Sequence, residues 1–240
     1  MKLDALVIAA HPDDAEISLG GTILRLVAAG AQVGICDLTR GEMGTRGTET
    51  DRTRETEAAN RVMGLAVRRN LELPDGRVQV SVEAREALAA ILREHAPELV
   101  LAHHTEDLHP DHAACGELAR QAWYLSGLKR LAEQAGDAPA RRPKRLLHFQ
   151  GHVAFDPTVV VDITPVWAKK VELIRCYTSQ LEPQGAGDKG EHFLFGADIL
   201  ARAETKARYW GEQIGVAYGE PLLHRGPLPV HDPLPFLAGS

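Results

Sequence analysis

Two short segments of the 240-residue chain hold residue types that can bind a metal and move a proton: His11-Pro12-Asp13-Asp14-Ala15-Glu16 and His109-Pro110-Asp111-His112. Taken singly, a His-Pro-Asp tripeptide reads first as a turn whose aspartate caps the next helix. Two of them, each closing a predicted strand and each followed by one more potential ligand, favour a shared metal site. Two imidazoles and one carboxylate make a three-ligand site whose fourth position stays open to water, the arrangement of catalytic rather than structural zinc. His11, Asp14 and His112 fit that description. Asp13 stands beside a ligand but cannot point the same way, so it is free to act as a base toward bound water. The same donors can hold ferrous iron, which makes a non-haem iron oxygenase the alternative enzyme class, with the spare Asp13 weighing against it.

The elements that must position these segments follow a β/α alternation. Residues 3–10 are a short apolar run without alternation, as in a strand buried on both faces. Leu19, Ile23, Leu26 and Val27 then recur at helical spacing before Gly30, and residues 32–38 read as a second buried strand. Helices over about 51–63, 81–95, 110–134, 165–174 and 197–213 alternate with strands near 68–71, 98–102, 146–150 and 159–163. The pattern predicts an α/β fold: a single Rossmann-like domain over 1–240, with a mostly parallel twisted sheet and helices on both faces. Ligands of such sheets bind outside the carboxyl ends of the strands, and both His-Pro-Asp segments fall there. The proline-rich tail, about 221–240, is expected to be extended or to contact another subunit.

Composition narrows the function. Lys and Arg number 27 against 33 Asp and Glu, a net charge of −6, which argues against a nucleic-acid surface. No apolar run approaches the ~20 residues that span a bilayer, and Asp4 interrupts any signal-peptide layout, so a cytoplasmic protein with no membrane partner is expected. Three widely spaced cysteines, Cys36, Cys115 and Cys176, indicate neither disulfides nor a thiolate metal site and are expected to be small core residues. Gly185-Ala186-Gly187-Asp188-Lys189-Gly190 spells a dinucleotide fingerprint but follows a helix and a proline rather than a strand, so a loop is expected there. Gly-x-Ser-x-Gly, P-loop and His-Glu-x-x-His motifs do not occur.

The chain resembles the LmbE or PIG-L family of zinc-dependent N-acetylglucosaminide deacetylases. His11-Pro12-Asp13-Asp14-x-Glu16 with Gly20-Gly21-Thr22 looks like the first family signature, and His109-Pro110-Asp111-His112 like the second. The segments 41–48, 73–76 and 177–180, with Arg52, look most like the branch that deacetylates N-acetylglucosaminyl malate in bacillithiol biosynthesis. The resemblance implies one zinc ion per subunit, other divalent metals being admissible, on His11, Asp14 and His112, with Asp13 as the base and a protonated His109 facing the oxyanion. It also implies a homo-oligomer, a hexamer, and a small-molecule N-acetylglucosaminide as partner. Close variants of the substrate are a mycothiol precursor or chitobiose.

Asp111 could orient His109 or His112, or simply cap the helix that begins there. For the substrate, the resemblance puts Arg52 against the ligand. A guanidinium also matches a carboxylate fork, and malate carries two carboxylates. Arg46 is the second candidate, and Glu42 a candidate for sugar hydroxyls.

Overall fold

The computed structural model describes residues 1–44, 46–181 and 198–229. Among these residues seven strands form one sheet in the order β3-β2-β1-β4-β5-β7-β6, with β6 spanning Val159–Asp162 and β7 Gly219–His224. Strands β1 (Ala5–Ala9), β2 (Val33–Asp37), β3 (Val67–Asn70), β4 (Leu99–His103) and β5 (Arg145–Phe149) are parallel throughout. β1, β2 and β4 are almost wholly buried, which is why their sequences run apolar without alternation.

Helices α1 (Asp14–Ala28), α2 (Glu49–Met63) and α6 (Trp167–Arg175) cover one face, where Leu19 and Ile23 of α1 pack with Val7, Met63 and Leu173. Helices α3 (Val82–His95) and α4 (Pro110–Leu125) cover the other, where Leu88, Leu92, Leu118 and Ala122 pack on Leu6, Ile8 and Val100. Strand order reverses between β1 and β4, so the loops after these two strands open into the same crevice. The expected α/β architecture is therefore present. The fingerprint at 185–190 lies outside the described residues, as does most of the tail.

Two expectations need correction, and one strand is added. The long helix over 110–134 is two helices, α4 and α5 (Lys129–Ala135). The Ser126 carbonyl accepts from Arg141 N, and an added Cβ at Gly127 would meet the Arg142 side chain, so the following loop is threaded through the break. The start of the tail is extended, as a strand that the sequence reading does not name: β7 (Gly219–His224) inserts antiparallel between β5 and β6 (Val159–Asp162), with Pro221 paired to Val160. A proline inside a run speaks against an interior strand, which hid this element in the sequence. Cys36 and Cys115 are core residues, but Cys176 is only half-buried.

β7 also explains the Gly20-Gly21 pair. The buried Glu220 carboxylate accepts from Gly21 N (2.9 Å), Thr22 N (2.6 Å) and Lys170 Nζ (2.6 Å), tying β7 to α1 and α6. A side chain at Gly21 would run into Ile163, 2.7 Å from an ideal Cβ.

Candidate active site

Between β1 and α1 the chain turns sharply. Asp13, the residue before α1, has φ 115°, a left-handed conformation that costs a non-glycine residue about 1–3 kcal/mol and persists only where its surroundings enforce it. Arg52 of α2 enforces it: its Nη1 donates to Asp13 Oδ2 (2.6 Å) and to the Pro12 carbonyl (2.8 Å). Asp14, one residue on, opens α1, where the helix N-terminus favours a carboxylate. The turn thus sends the two aspartates in different directions, Asp13 to Arg52 and Asp14 toward the histidines.

Asp14 is the meeting point of the two sequence segments. Its Oδ2 lies 3.1 Å from His11 Nδ1 and its Oδ1 3.3 Å from His112 Nε2, and one ligand atom from each of His11, Asp14 and His112 falls within 4.8 Å of the others. The far nitrogens of both rings face carboxylates. His11 Nε2 lies 3.0 Å from Asp75 Oδ1 and 3.3 Å from Asp111 Oδ2, and His112 Nδ1 lies 3.3 Å from Asp107 Oδ1. A carboxylate on the far side of each imidazole is the outer arrangement of histidines that bind metals.

Charge supports the same fit. Burial works against charging His11, yet Asp111, Asp14 and Asp75 push its imidazole up to about 12. His112 is likewise raised to about 9, against burial, chiefly by Asp14 and Asp107. Asp14 is held well below its ordinary range despite burial, mainly by His112 and His103. So negative a pocket calls for a cation, and the nitrogen and oxygen donors suit a divalent ion of the zinc type. Two other groups share residues with this one, His11-His109-Asp111 and Asp107-His112-His152. Their carboxylates have both oxygens bonded to backbone, Asp111 accepting from Gly76 N (2.7 Å) and Val78 N (3.1 Å) and Asp107 from His109 N (2.9 Å) and His152 N (2.7 Å), whereas Asp14 accepts one backbone N–H, from His11 (2.9 Å), on Oδ2.

Asp13 sits in the cavity wall with its carboxyl pushed up to about 6, because burial outweighs the pull of Arg52. His109 precedes Pro110 at the start of α4. Its Nδ1 accepts from Asp111 N (3.2 Å), which assigns the proton of the neutral ring to Nε2. Burial and the charges of His112 and His11 lower its pKa, so the ring is set as a neutral donor rather than an imidazolium. Its ring lies edge-on to His11, with centroids 4.8 Å apart, and stacks on His112 at 4.7 Å.

These residues line a cavity of about 410 Å³. His11, Asp13, Asp14, His109, His112, Arg46 and Arg52 all contribute to its wall. Asp111 lies beneath, bound to backbone N–H groups and close to His11. Glu42 is not part of the wall: it accepts from Asp75 N (2.9 Å) and Arg40 N (3.3 Å) and so braces the turn that carries Asp75. Glu16 of the first segment is also structural, fully buried and bonded to Arg68 (2.6 Å) and the Tyr177 hydroxyl (2.7 Å).

Sequence reasoning assigns no role to four participants: Asp75, His103, Asp107 and His152. Asp75 touches His11 from a turn. His103, buried at the end of β4, places Nε2 3.2 Å from Asp14 Oδ2 and stacks on His112 at 4.1 Å. Asp107 joins His112 to His152, whose Nδ1 is 2.7 Å away, and Gly151 leaves the room it needs, since an added Cβ there would meet Asp107. The hints in the sequence were the place of His103 at a predicted strand end, the 73–76 segment that holds Asp75, and the spacing Asp107-x-His109.

The model of the GlcNAc-PI de-N-acetylase family, PIG-L, matches residues 6–123, which span both segments and both strand ends. The chain belongs to the PIG-L family. A structure of the conserved protein TT1542 from Thermus thermophilus is 38% identical, with a TM-score of 0.82 over 96% of this chain and 97% of that one. Diacetylchitobiose deacetylase from Thermococcus kodakarensis is 28% identical over 90% of this chain and 80% of its own. The 4-oxalmesaconate hydratase of Pseudomonas putida is 28% identical over 73% of each. As a PIG-L protein the chain is a hydrolase acting on amide bonds. Among the described residues, no helix is long and apolar enough to cross a membrane.

Proposed function

We propose that the chain is a zinc-dependent deacetylase of N-acetylglucosaminides, with N-acetylglucosaminyl malate as the preferred substrate. The observation that carries this reading is the convergence of His11, Asp14 and His112 within 4.8 Å while Asp13 remains apart on Arg52. A divalent cation on those three residues supplies a Lewis acid that makes water acidic and polarises an acyl oxygen.

The protein's own groups do the rest. Asp13, deprotonated and oriented by Arg52, takes a proton from the attacking water as its oxygen bonds to the acetyl carbon. His109 donates its Nε2–H to the oxygen on which negative charge collects. The C–N bond then breaks as the departing nitrogen takes the proton that Asp13 received from water, and acetate and the free glucosamine amine leave. Cations in the cavity wall, Arg46, Arg202 and Lys206, support an acidic aglycone such as malate.

The test is release of free amine and acetate from N-acetylglucosaminyl malate, beside methyl N-acetylglucosaminide, by protein of measured metal content. Turnover of both, faster on the malate conjugate and abolished by chelation, is expected. Metal-loaded protein that releases acetate from neither would overturn the reading. The relative named as a hydratase favours a second reading, water addition to an unsaturated acid, which would register as turnover of 4-oxalmesaconate without acetate release.

A further inference from the structure

Helix α7 (Ile199–Gln213) contributes Arg202, Ala203, Lys206 and Ala207 to the wall of the cavity. Lys206 is the informative residue. Its ammonium donates to the Gly151 carbonyl (2.6 Å), and among the described residues no carboxylate pairs with it. The other lysine of the cavity, Lys170, is bonded to Glu220, and Arg52 to Asp13. Burying a lysine against a neutral carbonyl alone is costly, and placing it one turn after Arg202 on the same helix face adds like-charge repulsion. Burial and those two cations, Arg202 and Lys170, lower its pKa, with Asp107 the one opposing charge. An anion in the cavity would relieve both costs.

We propose that Lys206, with the positive potential of Arg202 behind it, is a subsite for a carboxylate of the substrate's aglycone. This deepens the deacetylase reading and rests on it for the identity of the sugar. Gly151 fixes the place: its carbonyl holds Lys206, while its Cα packs beside Asp107 and His112. The carboxylate is thus read at Gly151, just after β5, on the side of His112. A charge-assisted bond to a half-enclosed ammonium is among the stronger single contacts available to a small acid.

The test uses the zinc-loaded full chain. Calorimetric titration with L-malate should show binding weakened about tenfold or more in Lys206→Met and largely kept in Lys206→Arg. In turnover, Lys206→Met should raise KM on N-acetylglucosaminyl malate by a similar factor, with kcat retained, and leave methyl N-acetylglucosaminide unaffected. Should Lys206→Met fail to fold, Lys206→Gln, which can still donate to Gly151, takes its place. Equal malate binding by wild type and the uncharged variant, or no malate binding by wild type, overturns the subsite. Lys206-dependent malate binding without amine release from either sugar leaves the subsite standing and removes the deacetylase reading.

Discussion

Arg52 and Asp13 form a partly buried ion pair, with guanidinium Nη1 2.6 Å from Oδ2 of a residue whose backbone is held left-handed at φ 115°. The same nitrogen holds the Pro12 carbonyl, so one side chain fixes both the turn and the carboxylate it presents. Arg52 therefore works through Asp13 at least as much as through any ligand.

Arg52→Ala is accordingly expected to lower kcat on acidic and neutral glucosaminides alike, by about tenfold to a hundredfold, since a misplaced base loses part of the usual general-base contribution. Arg52 pulls the Asp13 pKa down, so its loss raises that pKa, and the acid limb of the kcat profile should move to higher pH. A KM increase confined to the malate conjugate, with kcat and the pH profile unchanged, would instead make Arg52 a reader of the aglycone.

Metal content and turnover should separate the two aspartates. Asp13→Asn is expected to keep near-stoichiometric zinc while turnover falls about 10²–10⁴-fold. His11→Ala and His112→Ala should lose the metal, because two remaining protein ligands hold it poorly. Elemental analysis after dialysis reads both, and full zinc in either histidine variant would reject that residue as a ligand.

Asp107 tests whether the outer carboxylates matter. It faces His112 Nδ1 at 3.3 Å and holds the His109 and His152 backbones, so Asp107→Asn should weaken zinc affinity by about 10–100-fold in competition with a chromogenic chelator. Unchanged affinity would confine Asp107 to loop structure.

His148 offers a pH prediction away from the metal. It is 2% exposed, its Nδ1 donates to the His103 carbonyl (2.7 Å), and burial lowers its pKa from 6.5 to about 4. Between those values the unfolded chain binds the proton and the folded chain does not, so stability is lost as pH falls through that window. From pH 7 to 5 the loss from this residue is about 2 kcal/mol. His148→Asn, whose amide can still donate to that carbonyl, should show a correspondingly smaller drop in urea unfolding free energy over the same range. An equal drop in both proteins would assign the acid sensitivity elsewhere.

The elements and the chemistry were largely legible along the chain. Mainly apolar runs without alternation at residues 3–10, 32–38 and 98–102 specify strands buried on both faces, and the two His-Pro-Asp segments at strand ends specify where ligands gather, because both signals are local. Pro221 concealed β7, since its effect on strand formation depends on which neighbours flank it. The partnerships of the site belong to the tertiary structure alone. Arg52 meets Asp13 across 39 positions, His11 meets Asp111 across 100, and Glu220 reaches Gly21 across 199. Residue type sets what a carboxylate or imidazole can do. Which of them is ligand, base or brace is decided by the charge and burial around it, and those exist only once β1 and β4 lie side by side.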